Sequence, residues 1–254
     1  MIRPRLIVFL MMDNHYLRKS RKFNNSIYIG DPLNTIRIFS DFGVDEIIFV
    51  DVNATKNNQD PNYQLLENIA SFSRMPLCYG GGVNNIRQIG KLINLGIEKV
   101  SICSSAFQKR NLIRDASNIF GSQSIVGCLD IKFSRESKNY NIYIENGKKR
   151  VDLDLFDAIK TLEDMGVGEL LINNIDLDGT YEGFDDQIIY EIVSASSIPV
   201  SVAGGASSIS NIKDLWIKTN VSGIAAGSLW SFIGRENTVL LNYPNEKDKQ
   251  LLFS

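Results

Sequence analysis

The stretch Met75-Pro76-Leu77-Cys78-Tyr79-Gly80-Gly81-Gly82-Val83 occurs twice in this chain, and that repetition narrows the possible folds more than any single motif. Its partner, Ile198-Pro199-Val200-Ser201-Val202-Ala203-Gly204-Gly205-Ala206, lies 123 positions later. Each copy reads as a proline-initiated, buried strand that runs into glycines and then opens a helix. A single Gly-Gly pair usually marks only a tight turn. Here the register continues on both sides. Glu46-Ile-Ile-Phe-Val-Asp51 begins thirty residues before Pro76, as Glu169-Leu-Leu-Ile-Asn-Asn-Ile-Asp176 does before Pro199. Strands ending in small residues follow, over 100–105 and 223–228, with Ser104 and Gly227 again 123 apart.

Two halves of four strand–helix units each predict a (β/α)8 barrel, a TIM barrel built as a duplicated (βα)4 half, in one domain over residues 1–254. A doubly wound open sheet is the alternative. Strand one reads as Arg5–Leu10, followed by a long polar loop to Gly30. Asp31-Pro32 then opens a helix as N-cap and first-turn proline. A second loop spans 53–60, and a helix is expected near 108–120. Over 132–150 the alternation breaks. Tyr140, Ile142 and Ile144 alternate with polar residues ahead of Asn146-Gly147, which predicts a small β-hairpin excursion after strand five. The tail from about 234 reads as irregular, with a short helix at most.

At 254 residues, 44% hydrophobic and 22% charged, the chain can bury one sizeable core. A net charge of −2 speaks against nucleic acid and against a polybasic membrane patch. No apolar run approaches the ~18 residues of a membrane span, and no signal-peptide core precedes strand one, so a cytoplasmic protein is expected. Cys78, Cys103 and Cys128 fall in predicted strands without a C-x-x-C spacing and read as reduced core thiols. His15 is the only histidine, which excludes a multi-histidine metal site; no metal and no cofactor is expected. Chemistry is left to carboxylates and backbone amides.

Such barrels place their active face at the C-terminal ends of the strands. Asp51, Asp130, Asp176 and Asp178 fall there. Strand-end aspartates also serve simply as caps, as Asp31 does. Asp130 ends its strand with no helix behind it, and Asp130 with Asp178 are the candidate catalytic residues. The glycine turns offer close backbone approach to anions. Gly81, Gly82 and Ser104 on one side, with Gly205, Gly227 and Ser228 on the other, are candidate phosphate-binding residues for a phosphorylated small molecule with a phosphate at each end.

The chain resembles the cyclase subunit of imidazole glycerol phosphate synthase over almost all its length. The resemblance rests on Gly30-Asp31-Pro32, Tyr79-Gly80-Gly81-Gly82, Glu98-Lys99-Val100-Ser101, Phe120-Gly121-Ser122-Gln123, Asp176-Leu177-Asp178-Gly179-Thr180 and Ala203-Gly204-Gly205-Ala206. It implies a biphosphorylated substrate, a separate glutaminase partner and ammonia passing through the barrel. It also implies that Arg5, Glu46, Lys99 and Glu169, at or beside strand starts, form an ammonia gate at the N-terminal end, with Glu98 at the partner contact. Charges at strand starts also merely solvate that end. Ile7, Ile48, Val100 and Leu171 are candidates for a dry lining along the axis.

One departure stands out. The family ends strand one with Cys-Leu-Asp, whose aspartate is half of a catalytic pair, whereas this chain has Phe9-Leu10-Met11. Asp13, two residues on, is expected in a loop. The family's Asn-Thr after strand four is here Cys103-Ser104. These changes, with the tail Val239-Leu240-Leu241-Asn242-Tyr243-Pro244, resemble a paralogous branch tied to bacterial surface polysaccharides. That branch implies a glutaminase and a sugar amidotransferase that turns an acetamido group on a nucleotide-linked sugar into an acetamidino group. The alternatives are a working cyclase of histidine biosynthesis and a plain phosphosugar-binding or isomerase barrel without a glutaminase.

Overall fold

Eight short apolar runs form parallel strands, each rich in residues suited to a sheet buried on both faces. They are β1 (Arg5–Asp13), β2 (Glu46–Asp51), β3 (Leu77–Gly80), β4 (Lys99–Ile102), β5 (Ile125–Ser134), β6 (Glu169–Asn174), β7 (Val200–Ala203) and β8 (Gly223–Ala226). Each pairs with the next, and β8 returns to β1 with Arg5 to Val8 opposite Gly223 to Ala226. The computed structural model describes residues 2–253 apart from 14, 58, 110 and 235. It is a closed (β/α)8 barrel, which the open-sheet alternative cannot match. The surrounding helices are α1 (Pro32–Phe42), α2 (Tyr63–Phe72), α3 (Ile86–Asn94), α4 (Leu112–Phe120), α5 (Leu155–Met165), α6 (Asp186–Ala195), α7 (Ile209–Thr219) and a terminal α8 (Glu246–Leu252).

The duplication is carried by the helix ends. Asp31 and Asp154 cap α1 and α5, Asn62 and Asp185 cap α2 and α6, and Asn85 and Ser208 cap α3 and α7. Each pair is 123 residues apart. Each side-chain oxygen accepts from a first-turn amide that would otherwise lack a partner. Gly43 and Gly166, also 123 apart, end α1 and α5 at φ 66° and 93°, left-handed values that suit glycine. The register then slips. Because α7 has 11 residues and α3 has 9, Cys103 and Gly227 become the equivalent caps of the next short helices, Ser104–Gln108 and Ser228–Ser231. Gly227 therefore corresponds to Cys103, and Ser228 to Ser104.

Two apolar layers result. The larger fills the space between barrel and helices. The smaller runs down the barrel axis through Ile7, Ile48, Cys78, Val126, Cys128, Leu171, Ala203 and Ala225, with Phe9, Val50 and Cys103 beside them. Ile7, Ile48 and Leu171 lie in that column as expected. Val100 does not: it belongs to the outer layer, because Lys99 faces the axis and the next residue must face away.

The segment expected as a long polar loop after strand one is an antiparallel hairpin. β1 continues to Asp13 and pairs with Tyr16–Arg21, which pairs with Asn24–Gly30. Its inward face carries Lys19 and Ser20, so the usual apolar alternation is missing from the sequence. The segment expected as a loop over 53–60 starts inside a short helix, Val52–Lys56. The excursion after β5 forms as predicted, with Asn139–Ile144 against β5 and Lys149–Arg150 beyond the Asn146-Gly147 turn. No helix among the described residues is long and apolar enough to cross a membrane.

Candidate functional site

At the C-terminal ends of the strands a cavity of about 210 Å3 opens between the two hairpins. Phe9 and Met11 of β1, Val50 of β2, Asp130 of β5 and Asn173 of β6 line it, with Lys19 and Phe23 of the first hairpin, Asn146 of the second, and Asp178. Asn146 Nδ2 donates to the Val52 carbonyl at 2.7 Å and ties the second hairpin over the opening. Asp130 is 9% exposed. Its Oδ1 accepts from Asn173 Nδ2 at 3.0 Å, and its Oδ2 faces the Cys103 thiol at 3.6 Å. Burial raises its pKa to about 6, a rise that the Asn173 and Cys103 hydrogen bonds oppose and the charge of Asp178 supports.

Asp178 is equally buried, and its partners tie it to the first hairpin. Lys19 Nζ approaches Oδ1 at 2.5 Å and Ser20 Oγ donates to Oδ2 at 2.8 Å. The backbone carbonyl of Asp178 also accepts from Lys22 N at 2.8 Å. Asp178 therefore holds the hairpin against the cavity. Asp51 caps the helix Val52–Lys56 through the amides of Asn53 and Ala54. Asp176 accepts from Phe133 N at 2.9 Å. Asp13 closes β1 rather than sitting in a loop, lines the cavity, and accepts from Asn53 Nδ2 at 2.5 Å. His15 is exposed at the hairpin turn.

Pairing identifies the counterpart of Asp130 in the other half. Asp130 lies opposite Asn173, and Met11 lies opposite Val50. Asn173 and Val50 are 123 apart, so Met11 occupies the position related to Asp130 by the duplication.

The two glycine turns flank the cavity. Gly81 and Gly82 adopt φ 112° and 70°, and Gly204 and Gly205 adopt 86° and 118°. A Cβ on Gly81 would lie 2.2 Å from the Asp51 carbonyl oxygen, and one on Gly204 would lie 2.4 Å from that of Asn174. Only glycine fits either place. One hollow is lined by Gly81, Gly82, Ser104 and Ser105, the other by Gly204, Gly205, Gly227 and Ser228. The residues named from the sequence for anion binding are thus gathered as two opposed sets.

At the other end of the axis Arg5, Glu46, Lys99 and Glu169 close on one another. Arg5 pairs with Glu46, and its Nη2 lies 2.5 Å from Glu169 Oε1. Lys99 Nζ lies 3.0 Å from Glu46 Oε2 and 2.8 Å from Glu169 Oε2. Ser201 Oγ donates to Glu169 Oε1 at 2.5 Å. Two cations and two anions thus form a closed, neutral ring below Cys78. Burial raises the Glu46 pKa more than Arg5 and Lys99 lower it. Burial also acts to raise Glu169, but the bonds and charges of Arg5 and Lys99 outweigh it and hold that carboxyl low. Glu98, at the rim, accepts from Leu77 N at 2.7 Å and is otherwise exposed.

Lys19, Ser20, Phe23, Asn146 and Asn173 are site residues that the sequence reading missed. Asn173 carried a signal, being a polar residue within an apolar strand at the repeat position of Val50. For Lys19 there was none, since its partner Asp178 is 159 residues away.

The model of the family described as histidine biosynthesis protein matches residues 12–232. A Leptospira borgpetersenii protein, provisionally named imidazole glycerol phosphate synthase subunit HisF, is 41% identical over 253 residues and all of both chains. A Pseudomonas aeruginosa protein provisionally named subunit hisF2 is 41% identical over 96% of this chain and 97% of its own. The imidazole glycerol phosphate synthase subunit HisF of Leptospira biflexa is 34% identical over 84% of each.

Proposed function

The chain belongs to the family of histidine biosynthesis proteins, and on that premise we propose that it is a barrel subunit that conducts ammonia. In this reading it accepts ammonia from a glutaminase docked on the ring of Arg5, Glu46, Lys99 and Glu169. It releases the ammonia at the cavity, where a separate sugar amidotransferase uses it on a nucleotide-linked sugar of a surface polysaccharide. The observation that carries this reading is Met11. Acid–base ring closure uses a carboxylate on each side of the substrate, and losing one such group typically costs a factor of ~10² to 10⁴. Met11 can neither take nor give a proton, and Asp13, the nearest substitute, is held by Asn53.

Ammonia is small and neutral, and it loses its nucleophilicity once protonated. A carrier must keep it from water. The apolar column from Ile7 to Phe9 and Val50 supplies that dry interval between ring and cavity. The glycine turns then retain an anionic ligand at the mouth. A second reading, a working cyclase of histidine biosynthesis, draws on the names of the relatives and on the intact pair of glycine turns.

The deciding experiment is co-purification with a glutaminase encoded beside this gene, followed by glutamine-dependent sugar amidation with and without the chain. Binding together with amidation that depends on the chain is the expected result. Absence of binding at micromolar concentrations, or amidation that runs equally well without the chain, overturns the proposal. Rescue of a histidine auxotroph that lacks the cyclase establishes the second reading instead.

A further inference from the structure

Parallel pairing brings two of the three cysteines together. Ile102, the last residue of β4, lies opposite Gly127 of β5, so the residues that follow, Cys103 and Cys128, are neighbours. Cys128 and Asp130 are two residues apart on β5 and so share its axial face. The result is a compact group in which Cys103 Sγ, Cys128 Sγ and a carboxylate oxygen of Asp130 all lie within 4.8 Å of one another. The linear spacing from 103 to 128 gives no hint of this, and the sequence reading as separate core thiols follows from it.

We infer that Cys103, Cys128 and Asp130 form a site for one thiophilic divalent cation, zinc by its ligand chemistry, beside the hollow at Gly81 and Gly82. Zinc takes sulfur at about 2.3 Å and carboxylate oxygen at about 2.0–2.2 Å in a tetrahedron, which sets sulfur and oxygen roughly 3.5 Å apart. The Cys103 Sγ to Asp130 Oδ2 separation is 3.6 Å. Asn173 already holds the other oxygen, Oδ1, at 3.0 Å. It thereby turns Oδ2 toward the sulfurs in the manner of an outer partner that fixes a ligand. Two sulfurs in three ligands select zinc over magnesium or calcium, which prefer all-oxygen shells.

Cys103 and Asp130 both border the hollow beside Gly81 and Gly82, which gives an ion a route to the trio. Binding breaks two S–H bonds, forms two S–Zn bonds and releases two protons to water. Cys78 lies in the same axial column but outside this trio. It provides an internal control. The site stands or falls independently of any glutaminase.

The test uses the full chain, stripped with chelator, kept reduced and titrated with cobalt(II) in a buffer free of phosphate. One equivalent should give a thiolate-to-cobalt charge-transfer band and the visible bands of a tetrahedral ion, and zinc should displace them. Cys103→Ala should abolish the signal and Cys78→Ala should keep it. Asn173→Ala should keep the stoichiometry and weaken affinity by about 10- to 100-fold. Circular dichroism confirms that each variant folds, and Cys103→Ser, closest in size, replaces Cys103→Ala if the latter does not. No charge-transfer band at stoichiometric cobalt overturns the site, as does a band that survives loss of the Cys103 sulfur.

Discussion

Lys99→Met removes one cation from a ring whose two carboxylates are buried, while the remaining cation, Arg5, is part-exposed. The side chains of Glu46 and Glu169 are 3% and 10% exposed, and that of Lys99 is 18% exposed. Read from the sequence, loss of a strand-start charge looks cheap, because exposed ion pairs contribute only about 0.2–1 kcal/mol. The structure revises that expectation. Without Lys99 the two carboxylates share Arg5 as their one ring cation, with only the neutral Ser201 hydroxyl beside Glu169, and removing one partner of a buried pair costs about 3–5 kcal/mol. The loss should depend on pH. Burial already raises the Glu46 pKa, and losing a neighbouring cation raises it further. A carboxyl with a raised folded pKa contributes stability that is fully present below its unfolded value and is lost as pH rises through its folded value. The deficit is therefore larger at about pH 8 than at about pH 5. Adding Glu46→Gln should recover most of it at the higher pH, since one cation then faces one anion. Urea unfolding followed by circular dichroism measures all three chains. A deficit for Lys99→Met under ~1 kcal/mol, the same at both pH values, would place the ring in screened solvent and refute the argument.

Three further expectations follow from the cavity. Gly81→Ala puts a Cβ against the Asp51 carbonyl at a strained φ, so it should cost on the order of 1–3 kcal/mol; phosphate should raise the melting temperature of the parent more than that of this variant. Asp178→Ala strands Lys19 in a buried place, costing about 3–5 kcal/mol, and should speed hydrogen exchange of residues 16–21 while leaving α7 unchanged. The parent should show negligible cyclase turnover with a biphosphorylated ribulosyl substrate and ammonium, and Met11→Asp should raise it; turnover in the parent equal to that of an ordinary cyclase contradicts the role given to Met11.

The barrel was legible because its duplication is written in residues with one structural meaning. Prolines at strand starts, glycines at left-handed turns and Asp, Asn or Ser at helix caps recur at a fixed interval, and few other folds tolerate that pattern. The ring was legible for a related reason: charged residues stand out at the mouths of apolar strands. What stayed hidden is which way each strand faces. Parallel strands buried on both faces show no alternation, so Val100 could be assigned to the axis when only Lys99, Ser101 and Cys103 point there. The first hairpin was hidden because its inward residues, Lys19 and Ser20, are polar and find their partner only after the chain has closed. Cys103 and Cys128 become neighbours by the same closure.

The ring also bears on ancestry. Its carboxylates, Glu46 and Glu169, are copies of one residue, 123 positions apart. Its cations are not. The register places Cys78 opposite Lys99 and Ser201 opposite Gly223, so Gly223 is the second copy of Lys99. A Cβ there would fall 2.3 Å from Ser201 Oγ and 3.2 Å from Arg5 Nη2. The bare position is what gives the Arg5 guanidinium its room. Two identical half-barrels associating as a dimer would carry a lysine at both places and would crowd out the arginine. The present neutral lock therefore depends on the two halves differing at this one position, lysine at 99 and glycine at 223.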